Sequence, residues 1–204
     1  MAATGLREKK AARTRQQIVD AALDLFLAHG FEQTTMEEIA ERAEIGSSTL
    51  YRYFPSKDLV ILEPLLVFTE MGDHVRSRPS SEALEVTLGM AIASALTGFT
   101  STERVAEVRR IVDNSPSPRA KLWDVMATSR DDLERAIADR LDLAADHLTV
   151  MLTARMTMVV YELAAEAWWA GDHSRPIGAV VQEVLQRLQA SASVVLPAPL
   201  DSTD

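Results

Sequence analysis

Apolar positions recur every three to four residues along nearly the whole chain, and no stretch alternates apolar with polar between turn residues, so the pattern predicts an all-α fold. Ile18, Ala22, Leu25, Phe26 and His29 lie at helical spacing, and Gly30 ends that helix as a left-handed cap, which makes His29 a helix-end residue and not a ligand. Thr35-Met36-Glu37-Glu38 has the spacing of a capping box, in which the Thr35 hydroxyl accepts from the Glu38 backbone and the Glu38 carboxylate reaches back. The helix it opens runs to about Ala43. After Glu44-Ile45-Gly46 a second short helix spans Ser47 to Phe54, closed by Pro55, with a new start at Ser56-Lys57-Asp58. Two short helices about a tight, glycine-containing turn predict a helix-turn-helix.

Downstream, apolar stripes predict six helices near 57–75, 82–99, 102–113, 118–140, 147–170 and 175–193. The breaks fall at Arg76 to Ser81 and at Asn114 to Pro118, where prolines interrupt the pattern. The helix from Ser56 onward is apolar almost all round (Leu59, Val60, Ile61, Leu62, Leu65, Leu66, Phe68), as expected of a buried rod connecting a head to a body. The expected division is a head over 1–56, of which 1–12 is a flexible basic arm, a helical bundle over 57–193, and a tail over 194–204.

Composition changes this picture in three places. The chain of 204 residues has no cysteine, which excludes disulfides, thiolate chemistry and zinc ribbons and fits a reducing, cytoplasmic setting. The longest uncharged run, the 17 residues Val86 to Thr102, holds several Thr and Ser and two Gly, so no membrane span is expected, and the charged start of the chain lacks a signal core. The formal charge of -9 opposes phosphate binding, but it is unevenly spread. Residues 1–19 carry Arg7, Lys9, Lys10, Arg13 and Arg15 against Glu8 alone, whereas residues 61–204 carry a net -8. Such polarity turns the basic end toward a polyanion, although basic N-termini also serve solubility.

Ser47, Ser48, Thr49, Tyr51, Arg52 and Tyr53 cluster on the second short helix, with Ile45, Leu50 and Phe54 as its buried anchors. Serine and threonine at the start of a helix donate to phosphates and base edges, and the helix dipole adds a partial positive charge. The stretch from Thr35 to Lys57 resembles the DNA-binding head of the tetracycline-repressor (TetR) family. Gly30-Phe31, Thr35 to Ala40 and Leu50 to Lys57 match its three motifs in order and spacing over about 50 residues.

The resemblance implies a phosphate clamp at Thr35, base-edge readers at Ser47 and Ser48, and backbone contacts from Thr49, Tyr51, Tyr53 and Lys57. Arg52 is the candidate reader of guanine, and Arg13 and Arg15 join the set as basic contacts. Ser48 and Gly46 depart from the family pattern, which leaves the base code open. The structural alternative is that Thr35 only caps its helix and Tyr51 only packs against the first one.

The resemblance also implies a body that binds a small-molecule effector and dimerises through its last two helices. The apolar stripes containing Leu152, Val159, Leu163, Ile177, Val181, Val184, Leu185 and Leu188 suit a four-helix interface in a homodimer, or the finishing of a single chain's own core. Met90, Phe99, Trp123, Met126, Met156 and Trp168 are candidates to line a pocket, with plain core as the alternative. Residues 120–171 faintly resemble family members that sense acyl-CoA-like molecules, for which Arg109, Arg110, Lys121 or Arg155 would meet phosphate. A cationic ligand between Glu162, Glu166, Tyr161, Trp168 and Trp169 is the rival.

The expected function is therefore a ligand-responsive regulator, a repressor, that binds a palindrome in double-stranded DNA and needs no cofactor. The competing readings are a helical small-molecule-binding or interaction protein without DNA binding and an enzyme. The four scattered histidines and the lack of a glycine-rich phosphate loop speak against the enzyme.

Overall fold

The computed structural model describes residues 2–97, 102–170 and 175–190, with side chains at 2–4, 6, 8, 102 and 103 left aside. These residues form helices with no strand among them, so the fold is all-α. The helices are α1 (Ala2–His29), α2 (Met36–Arg42), α3 (Ser47–Tyr53), α4 (Lys57–Leu62), α5 (Met71–Ser77), α6 (Leu84–Thr97), α7 (Thr102–Asn114), α8 (Pro116–Leu141), α9 (Leu148–Trp169) and α10 (Ile177–Gln189). The expected tail at 194–204 and the pocket candidate Phe99 lie outside the described residues.

The chain forms two compact units, 1–70 with 99–131, and 71–98 with 132–204. In the first, α1 packs on α2 and α4, α2 on α3, and α7 on α4. Ile18, Ala22, Phe26, Ile39, Leu50 and Phe54 close its core around the three-helix head, each nearly inaccessible to water. In the second unit α6, α9 and α10 pack on one another and α5 packs on α6.

α1 starts at Ala2, in keeping with the strong helix formers Ala, Leu, Arg, Glu and Lys that surround Thr4 and Gly5. One expectation is corrected. The long helix expected over 57–75 is broken into α4, a 3-10 segment Glu63–Glu70, and α5. Pro64 is the cause, since it has no N–H to donate and its ring excludes the carbonyl four residues back. The backbone has already tightened at Glu63, whose N–H bonds to Val60 O, three residues away. The apolar character is as read, with Val60, Ile61, Leu62, Leu65 and Phe68 buried.

Candidate nucleic-acid interface

The first turn of α2 is built by its sequence. Thr35 Oγ1 accepts from Glu38 N at 3.2 Å, and the Glu38 carboxylate accepts from Thr35 N at 2.7 Å and from Thr35 Oγ1 at 2.9 Å. The Thr35 backbone and hydroxyl donors hold the Glu38 carboxyl below its ordinary range. The other end of α2 closes as a Schellman motif, with Ile45 N to Ala40 O at 3.0 Å and Glu44 N to Glu41 O at 3.0 Å.

That closure needs a left-handed residue, and the chain places Glu44 there, at φ 54. The turn expected to depend on Gly46 therefore turns at Glu44 instead. Gly46 is extended (φ -71) and serves as the N-cap of α3, with no side chain to cap it.

α3 is anchored by Leu50, fully buried, and by Phe54 at its end. Ser47, Ser48, Tyr51 and Arg52 are exposed, and Thr49 and Tyr53 are half-buried. Because Tyr51 lies four residues after Ser47 and three after Ser48, these side chains share one face of the helix. The Tyr51 hydroxyl donates to Glu37 Oε1 at 3.3 Å, and its acidity is weakened first by partial desolvation and then by the Glu37 charge. The Arg52 guanidinium lies 5.8 Å from the Tyr53 ring centre, still facing solvent.

Two of the basic candidates have partners inside the chain. Arg15 makes a two-pronged ion pair with Glu63, which raises its pKa, and sits 4.5 Å over the Phe54 ring. Lys57 donates to the carbonyls of Phe31, Glu32 and Thr34 at 2.8, 3.2 and 3.2 Å and lies 4.6 Å from the Phe31 ring centre. Arg13 is exposed on α1. Sequence reasoning missed Gln17, whose Nε2 donates to Ala43 O at 2.8 Å and ties α1 to the turn, and Glu37; neither stands in a recognisable local motif.

Residues 18–63 match the family profile described as bacterial regulatory proteins, tetR family. The chain carries a tetR-family domain there. It is 34% identical over 145 residues to the HTH-type transcriptional regulator TcmR of Streptomyces glaucescens, covering 67% of this chain and 64% of that one, a little under two thirds of the relative's length. Its fold is that of FadR from Bacillus halodurans, a fatty acid degradation regulator, with a TM-score of 0.58 at 22% identity over 88% of this chain and 96% of that one. The transcriptional regulator FadR from Bacillus subtilis, solved with stearoyl-CoA, superposes with a TM-score of 0.56 at 17% identity over 88% and 99% of the two chains.

The dimerisation candidates lie in the second unit, while the pocket candidates are divided, Trp123 and Met126 in the first unit and Met90, Met156 and Trp168 in the second. Leu152, Val159 and Leu163 are exposed on α9, in line with exposed Leu148 and Met156, whereas Val181 is buried at 4% exposure. Ile177, Val184, Leu185 and Leu188 are half-buried. Among the pocket candidates, Met90, Trp123 and Met156 are exposed by 46, 64 and 47%, while Met126 and Trp168 are half-buried. A groove of about 450 Å³ lies between α9 and α10, floored by Leu163, Ala167, Val180, Val184 and Leu188. At its rim Arg175 and Arg187 hold the Glu183 carboxylate at 2.8 and 2.9 Å and depress its pKa.

Proposed function

We propose that this protein is a ligand-responsive transcriptional regulator that binds a palindromic operator as a homodimer, represses there, and leaves when a small molecule binds the helices that follow the head, residues 57–193. The observation that carries the reading is the face of α3: Ser47, Ser48, Tyr51 and Arg52, all polar and exposed, on a helix fixed by Leu50 and Phe54. Such a helix end delivers hydrogen-bond donors to base edges and phosphates in a major groove. Ser47, Ser48 and Arg52 read bases in this account. Thr35, Thr49, Tyr53 and Arg13 meet the backbone, Tyr51 lies on the same face with its hydroxyl given to Glu37, and Arg15 and Lys57 hold the head's shape.

α9 supports the dimer. By length and mean hydropathy (1.3) it meets the requirement for a membrane span, with 44% of that window buried. Its exposed apolar residues, Leu148, Leu152, Met156, Val159 and Leu163, recur every three to four positions and so form one stripe, the pattern of a helix covered by a second helix. Reading a palindrome requires two heads about 34 to 36 Å apart, and a twofold dimer supplies two. We place the protein in the cytoplasm, as a regulator and not an enzyme.

Effector control needs a route to the head. Arg104 of α7 is ion-paired with Asp20 of α1, and α7 packs on α4, so both belong to the unit that carries α3. A ligand that binds one setting of α7 more tightly than another would shift the head with it. A DNase footprint on the region upstream of the protein's own gene tests the reading. A twofold-symmetric protected segment is expected, and no protected segment at any protein concentration would refute it.

A further inference from the structure

The head proper, residues 20–60, carries eight acidic and three basic side chains, an unusual balance for a surface that approaches phosphates. Most of the acids that the structure engages are spent on structure. Asp24 pairs with Arg42, Asp20 with Arg104, and the Glu38 carboxylate closes the capping box. Glu37 differs. It is exposed in the first turn of α2, has no cation beside it among the described residues, and gives Oε1 to the Tyr51 hydroxyl, leaving Oε2 open to solvent. Tyr51 shares the outward face of α3 with Ser47 and Ser48, so Glu37 extends that polar face from the neighbouring helix.

A fixed, unneutralised carboxylate at such a place repels phosphate and accepts hydrogen bonds. In the major groove the cytosine N4 amino group is the donor that a carboxylate takes without competition from a base acceptor. Resting on the DNA-binding reading above, we infer that Glu37, held by the Tyr51 hydroxyl, is a specificity residue that selects cytosine at one position of each half-site. Arg52, Ser47 and Ser48 supply attraction, and Glu37 supplies rejection of other bases. The acidity of the head is then part of its selectivity.

Selection from a randomised double-stranded DNA pool, followed by sequencing of bound molecules, tests this with the unsubstituted protein, Glu37→Ala, Glu37→Gln and Tyr51→Phe. The unsubstituted chain should select a palindromic motif with a fixed cytosine in each half. Glu37→Ala should relax that one position by about tenfold while the rest of the motif stands. Glu37→Gln keeps an acceptor for Tyr51 and should move the preference toward adenine, which an amide reads in two bonds. Tyr51→Phe should relax the same position by a smaller factor. An unchanged motif for Glu37→Ala with equally raised affinity for all DNA would overturn the inference and leave the regulator intact. No motif from the unsubstituted protein would overturn both.

Discussion

The ammonium of Lys57 lies 2.8 Å from the carbonyl oxygen of Phe31 and 4.6 Å from the centre of that residue's ring. With the Glu32 and Thr34 carbonyls it gathers the loop between α1 and α2 onto the start of α4. These bonds tie the head together through a lysine that also lies in a family DNA-binding motif. Lys57→Met should cost about 1 to 3 kcal/mol of stability, since charge-assisted bonds to buried acceptors are lost. It should leave the slope of log affinity against log salt unchanged. Arg13→Ala, at a backbone contact, should do the reverse, reducing that slope by about one while the melting temperature holds. Thermal melts and salt titrations of the two variants separate the roles.

Glu44 occupies a left-handed position at φ 54, where a side chain is strained. Glu44→Gly should raise stability by up to about 1 kcal/mol, the relief of strain exceeding glycine's greater freedom in the unfolded chain. Glu44→Val should lower it. Urea denaturation monitored by circular dichroism reads both.

Within the second unit, a Cβ added at Gly72 would stand 2.1 Å from Asp132 Oδ2, and that carboxylate is held by Arg76 at 2.7 and 3.0 Å. Gly72→Ala should therefore cost about 1 to 3 kcal/mol by overpacking, offset in part by alanine's better helix propensity. Removing the obstacle reverses the effect, so Gly72→Ala with Asp132→Ala should be less destabilised than the two single changes summed. A double-mutant cycle measures the coupling.

What the sequence revealed and what it hid differ in range. The capping box at Thr35 and Glu38, the Gly30 stop and the polar face of α3 were legible because each depends on residues within four positions. The parts not legible depend on distant partners. Nothing near Arg15 in sequence announces its pair with Glu63, 48 positions away. Nothing near Lys57 announces the carbonyls of the 31–34 loop that surround its ammonium. Pro64 was hidden by its apolar neighbours, whose stripe runs on unbroken while the backbone does not. Val181 fits an interface pattern as well as a core pattern, and only packing against the chain's own helices decides that it is buried.

That last distinction gives a test of assembly. Leu152→Glu or Val159→Glu changes an exposed position and should yield folded monomers in a sedimentation run. Val181→Glu should unfold the second unit, because it buries a charge without a partner. Dimers persisting in both α9 variants would place the interface elsewhere.

Acid should weaken the fold from about pH 5 downward. The Glu82 carboxyl is held down to about 2 by the Arg78 guanidinium and the Thr87 hydroxyl, and Asp132 is depressed by Arg76 and Glu183 by Arg175. Carboxylates with folded values below their unfolded ones stabilise the fold above the unfolded pKa and lose that contribution as pH falls toward the folded one. Glu162 opposes them, its pKa being raised by burial and by Glu166, so its protonation relieves a cost. Glu82→Gln should flatten the acid limb of a melting-temperature profile between about pH 5 and pH 2. A limb of unchanged steepness would remove Glu82 from the explanation.

The regulator reading is tested most directly by fluorescence anisotropy of the protein with labelled DNA from the region flanking its own gene, against scrambled DNA, through a salt series. Tight binding that prefers the native sequence and weakens linearly in log salt is predicted, the slope reporting the phosphates neutralised. Equal binding of both DNAs at every salt concentration, or none, would contradict it.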